Sequence, residues 1–183
     1  MLNDFLNNIC SQVSLWFPDL ATCVPCGGRL DEDALKLLAG ATPAVFLAPT
    51  ATYRAKPAGT GEQDIPLAVT AYVITEDRPG LPRGEAALNL VQEIIVRLEN
   101  QVWGMDDQVH PPGPAAALNL YSGGIDQAGI AAWEVSWTQE IRMGEDIWKT
   151  DLPLPSEIYL GQAPDIGAGH EDDYLPIRKE ETP

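Results

Sequence analysis

The sequence predicts an α+β fold: a small, mainly antiparallel sheet with helices packed on one face, followed by an extended C-terminal arm. Three observations lead there. Residues 130–142 (IAAWEVSWTQEIR) alternate strictly, with Ala131, Trp133, Val135, Trp137, Gln139 and Ile141 on one side. Two stretches place apolar residues three and four apart, the spacing of a helix face. Beyond Met143 neither period persists, and prolines recur at 153, 155, 164, 176 and 183.

The first helical stretch spans residues 2–17, where Leu2, Phe5, Leu6, Ile9, Val13 and Trp16 form the apolar face and Pro18 marks the stop. Residues 23–28 (CVPCGG) read as a turn. Asp31 is placed to cap a short helix through Leu35, Leu37 and Leu38 that Gly40 closes. Residues 44–49 (AVFLAP) read as a short buried strand, and 65–75 as a longer one. The loop EDRPGLPRG leads into a second long helix over 84–99, striped by Ala87, Val91, Ile94 and Leu98. Glu85 near its start and Arg97 near its end suit the helix dipole. A strand is expected at 115–121, then a glycine-bracketed turn, then the alternating strand. The domain is drawn at 1–143 and the acidic, Pro-rich arm at 144–183.

Composition restricts function. The chain has 183 residues, 11 Lys and Arg against 27 Asp and Glu, and a net charge of −16. A nucleic-acid or anionic-membrane binder needs a basic face, which this balance disfavours. The apolar stretches are too short to span a bilayer, and no basic region precedes an apolar run at the start. Synthesis in the cytoplasm is therefore expected. The arm carries ten acids and three bases, yet it also holds Trp148, Leu152, Leu154, Ile158, Tyr159, Leu160, Tyr174 and Leu175. A merely solvated tail has no use for these. Apolar residues along an extended segment suit docking on a neighbour's groove or sheet edge, and these eight are the candidate inter-subunit or partner contacts.

No motif assigns an enzyme. Cys23-x-x-Cys26 is half of a zinc or redox pattern, but a closed zinc site wants four Cys or His ligands and no second paired motif follows. His110 precedes two prolines, and no G-x-S-x-G elbow accompanies it. The glycine pairs lack the P-loop lysine. The acidic runs Asp31–Asp33, Asp106–Asp107 and Glu171–Asp173 lack the spacing of a calcium loop. No catalytic, cofactor-binding or metal-binding residue is assigned. Trp133 and Trp137 are expected to pack in the core.

Several segments nevertheless resemble a family. Phe17-Pro-Asp-Leu20 leads to Cys26-Gly-Gly-Arg29-Leu30, and Pro43-Ala-Val45 follows. Then come Thr75-Glu-Asp-Arg-Pro-Gly-Leu-Pro-Arg83 with its helix, Asn119-Leu-Tyr-Ser122, and Gly129-Ile-Ala-Ala-Trp-Glu-Val-Ser-Trp137. Over residues 1–143 this resembles small proteins from the tail modules of Mu-like phages and prophages; the arm lies outside the pattern. The resemblance implies a tail terminator, or tail-completion protein. Such a protein forms a ring, usually hexameric, that caps the tail tube at its head-proximal end and joins the tail to the neck. It implies partners in the tube protein, a neck or connector protein and further copies of the chain, and a place in the virion. DNA would pass through the lumen without specific binding, Arg54 and Lys56 included. An assembly adaptor or chaperone outside the virion is the alternative from another class. A zinc- or thiol-dependent protein using Cys23 and Cys26 is the third.

Overall fold

The computed structural model describes residues 1–149 and 157–179. The chain divides into two compact units, Met1–Asp146 and Ile147–Pro183.

The first unit is a six-stranded, mostly antiparallel sheet with four α-helices. Its strands are β1 (Thr22–Pro25), β2 (Ala44–Thr52), β3 (Lys56–Pro57), β4 (Gln63–Glu76), β5 (Ala116–Asn119) and β6 (Ile130–Met143). Its helices are α1 (Leu2–Trp16), α2 (Glu32–Leu37), α3 (Arg83–Arg97) and α4 (Gly123–Gln127). The sheet order is β1-β2-β4-β6-β5, with β3 paired to the start of β4. The spine is the β4–β6 pair, antiparallel in unbroken register from Gln63↔Met143 to Glu76↔Ile130. β1 runs parallel to β2 with α2 in the connection between them, as a parallel pair requires a crossover.

The helices form where the sequence periodicity demands. α1 buries Phe5, Leu6, Ile9, Cys10 and Val13 and ends before Pro18; α3 buries Ala87, Val91 and Ile94. Both share one apolar cluster with Val45, Leu47, Leu67, Val69, Ala71, Val73, Val135, Trp137 and Ile141. The mixed α/β architecture with a mostly antiparallel sheet agrees with the α+β class expected from the sequence. Two short helices add a second layer. Leu35 of α2 and Ile125 of α4 join Ala44, Phe46, Ala48, Tyr72, Ile74, Ile130 and Ala132 on the opposite face of the strands. Each short helix has a side-chain cap: the Ala34 N–H donates to Asp31 Oδ1 at 2.8 Å, and the Ile125 N–H to Ser122 Oγ at 3.1 Å.

One buried polar group ties the long loop after α3 to the sheet. Gln139 is 1% exposed. Its Oε1 accepts the indole N–H groups of Trp103 (2.9 Å) and Trp137 (3.2 Å). Its Nε2 donates to the carbonyls of Gln101 and His110, both at 2.8 Å. All four bonding positions of the amide are filled, which is what makes its burial tolerable. Trp103 sits at φ 56°, a left-handed conformation uncommon for a bulky residue, and its ring packs 5.8 Å from that of Trp16.

The described residues of the second unit contain β7 (Glu157–Leu160) paired antiparallel with β8 (Leu175–Lys179), and a 3-10 turn at Glu171–Asp173. The extended segments expected of the arm are present, but they pair with each other. No described helix is long and apolar enough to cross a membrane.

Candidate interaction surfaces

Three regions expose chemistry that the core does not use. The first is the second unit. Ile158, Leu160, Leu175 and Ile177 are 39%, 54%, 66% and 64% exposed on its two strands. Trp148 and Tyr159 are also exposed, and the Tyr159 hydroxyl donates to Glu157 Oε2 at 2.7 Å. Tyr174 behaves differently: half-buried, it accepts the Gly167 N–H on its hydroxyl at 2.8 Å and lies against Gly161. A Cβ on Gly161 would come within 2.8 Å of that ring. Of the eight residues named from the sequence, Tyr174 therefore serves packing inside its own unit. Leu152 and Leu154 lie outside the described residues.

The second region is an open half of the sheet, on the face that carries the short helices. α2 and α4 cover only the end with Ile74, Tyr72 and Ala132. Below it, the register sets Thr70 beside Ser136 and Ala68 beside Thr138. A register shift between Pro49 and Ala51 leaves Thr50 in contact with Thr70, hydroxyl to hydroxyl at 3.4 Å. The result is a groove of about 430 Å³, floored by small and hydroxyl side chains and walled by Arg29, Tyr53, Pro114 and Glu134. On the same face Tyr72 is buried, and burial raises the pKa of its hydroxyl. Arg29 reaches Glu134 only at 3.8 Å and stays largely exposed.

Beyond the groove, Asp64 and Arg142, paired across β4 and β6, form a two-point ion pair at 2.9 and 3.0 Å. His110 Nε2 lies 3.6 Å from the same carboxylate. The guanidinium holds the Asp64 carboxyl below its ordinary pKa. Lys56 pairs with Glu140 nearby at 2.6 Å. These charges neutralise one another. His110 thus lies beside an ion-pair cluster, a position its sequence context did not indicate.

The third region is the β5 edge. β5 is exposed along its whole length and carries neither charge nor proline. A cavity of about 260 Å³ beside it is lined by Leu88, Tyr121, Ile125 and Trp133, with Leu88 51% and Tyr121 71% exposed. Trp133 is half-buried there, whereas Trp137 is in the core.

The cysteine spacing does not bring its own two thiols together. Cys23 packs on the α1 side of the sheet and Cys26 on the side of the short helices. Among the described residues, no three His, Cys, Asp or Glu side chains are grouped to hold a metal ion. The sequence matches no protein-family model and no curated protein sequence, so the resemblance to phage tail-module proteins rests on the quoted segments alone.

Proposed function

We infer that the chain is a structural protein of a phage tail, a terminator that assembles into a ring, with six copies as the form to test first. The ring would cap the tail tube at its head-proximal end and offer its other side to a neck or connector protein. The observation that carries this reading is the second unit. Among its residues with described side chains none is buried, and its two strands display Ile158, Leu160, Leu175 and Ile177 to solvent. Two short strands alone are marginal in water, and the burial of such side chains stabilises by about 25 cal/mol per Å². A surface of this kind gains by covering. Head-to-tail contacts between copies close into a ring when the rotation per subunit fits. The sequence segments that resemble tail-module proteins add the direction of the reading, and the acidic balance suits a lumen through which DNA passes without adhesion.

Native mass spectrometry and negative-stain imaging of the purified full chain test the reading. Closed rings are expected, and Ile158→Asp with Leu160→Asp should reduce them to monomers while the far-UV spectrum stays unchanged. A wild-type chain that stays monomeric in the presence of tail tube protein overturns it.

A further inference from the structure

Two strand edges of the chain stand open, one in each unit. In the first unit the edge is β5. The Leu120 N–H donates to the Ala132 carbonyl at 3.0 Å, and the same register continues as Leu118↔Glu134 and Ala116↔Ser136. Bonded and non-bonded pairs alternate along an antiparallel ladder. Ala116 and Leu118 therefore turn their backbone groups toward β6, and Ala117 and Asn119 turn theirs outward. Among the described residues nothing bonds to those outward groups. Natural edges are blunted by charge or proline. The opposite edge strand, β1, ends in Pro25, whereas β5 carries neither. In the second unit the matching edge is β7. It has four residues, as β5 does, and lacks proline, whereas β8 carries Pro176.

The two strands also match face for face. The Tyr159 hydroxyl donates to Glu157 Oε2, so these two side chains share one face of β7, and alternation puts Ile158 and Leu160 on the other. β5 divides two surroundings in the same way. On one side Ala116 borders the groove, with the hydroxyls of Thr70, Ser136 and Thr138 and the largely exposed Arg29. On the other, Asn119 borders the cavity of Leu88 and its register partner Trp133.

We propose that the β5 edge is the docking site for β7 of a second copy of the chain. The neighbour's strand extends the sheet, with Ile158 and Leu160 set against Leu88 and Trp133. Glu157 and Tyr159 lie over the groove, where Arg29 meets the carboxylate. This rests on the reading of the chain as a ring protein and names the contact that makes the ring. Donor and acceptor are different surfaces, so each copy gives one strand and receives one, the head-to-tail arrangement that closes. Main-chain hydrogen bonds hold an added strand, and its alternating side chains select it. The hairpin, marginal as two strands, becomes part of a larger sheet. Charge favours the pair as well: in a chain of net charge −16, β5 itself brings no carboxylate to the contact, and Glu157 faces a guanidinium.

Native mass spectrometry of full-length variants, with tail tube protein present, tests this. Ala117→Pro removes an outward N–H that β6 does not use, so its far-UV spectrum and thermal midpoint should match wild type. Its rings should be lost, the association weakened at least about tenfold. Ile158→Asp with Leu160→Asp should also be monomeric. Mixed, the two variants should form a one-to-one pair that grows no further, because one keeps the donor strand and the other the acceptor edge. In wild-type rings, amide hydrogen exchange at Ala117 and Asn119 should be slower than in the monomeric double variant, a readout that stands even where Ala117→Pro folds poorly. Rings of Ala117→Pro with an unchanged midpoint, or wild-type rings without slowed exchange at β5, overturn the docking site and leave the ring reading intact. Pairs formed by the double variant alone would mean that β5 meets β5, and would overturn it too. So would a mixture that fails to pair. A wild-type chain that stays monomeric overturns both readings.

Discussion

The two faces of the central sheet are built from the same strands and are finished in different ways. On one face, α1 and α3 lie over Val45, Val69, Val73, Val135 and Ile141, each 0% exposed. On the other, the short helices α2 and α4 join Ala44, Phe46, Ala48, Tyr72, Ile74, Ile130 and Ala132, and the strands continue past them as Thr70, Ser136, Ala68 and Thr138. Cover on each face extends as far as its helices do. Where cover ends, the side chains change from branched apolar to hydroxyl and alanine, and then to the ion pairs Asp64–Arg142 and Lys56–Glu140. β6 records the change along one strand: Ile130 and Ala132 are buried toward the short helices, Val135, Trp137, Gln139 and Ile141 toward the long ones. An antiparallel sheet permits this, because it needs only one covered face.

The largest effect that separates the faces is a cavity. Phe5 is fully buried beneath α1, and Phe5→Ala should cost about 3–5 kcal/mol. Thr138→Ala, on the open groove, should stay within about 0.5 kcal/mol of wild type. Urea denaturation at neutral pH measures both. Comparable losses would mean that the groove is sealed within the folded chain, and the contrast between the faces would collapse.

How far the sequence could foresee this contrast follows from element length. α1, α3, β4 and β6 each run for 14 or 15 residues, long enough for a period to show. The sealed face was legible for that reason. β1 was not: Thr22–Pro25 is four residues ending in proline, and its edge position beside β2 arises only after α2 crosses over. α4 opens on two glycines, poor helix formers, and reads as a turn; its Ser122 cap and the packing of Ile125 hold it. The surface features divide in the same manner. Ile158, Leu160 and Leu175 were visible as apolar residues in an acidic, Pro-rich segment. The groove depends on the register Thr70↔Ser136, which leaves no local pattern. Tyr174, read as a contact for partners, lies against Gly161 and accepts the Gly167 N–H, contacts that depend on how its own unit folds back and leave no periodic pattern.

A smaller effect sharpens why the sealed face tolerates one polar residue. Gln139→Leu fills the same space but strips two indole donors and two carbonyls of their partner, and should cost about 2–3 kcal/mol. Trp137→Phe removes one donor and leaves Oε1 still bonded to Trp103, so its hydrogen-bond cost should be about 1 kcal/mol. Thermal or urea unfolding of the two variants orders them. If Gln139→Leu proves neutral, the amide is a passenger in an apolar face, and the loop from Gln101 to His110 is held by Trp103 packing alone.

The smallest effect belongs to the ion pair at the open end. Asp64 has its folded-state pKa lowered by Arg142, so the carboxylate binds its proton less readily folded than unfolded. Stability from this source is present above the unfolded value, about 4, and is lost as pH falls through the lower folded value. The side chains are 16% and 31% exposed, so solvent screens the pair, and about 1 kcal/mol is a ceiling. Asp64→Asn should therefore be slightly less stable than wild type at pH 7, by that amount or less, with the difference shrinking on acidification. Paired urea midpoints at neutral and acid pH measure it, and added salt should narrow the gap at neutral pH. A difference that grows on acidification would reverse the sign, and would place Asp64 in an environment that favours its protonated form. The open end of the sheet would then be more enclosed than its exposed neighbours Lys56 and His110 imply.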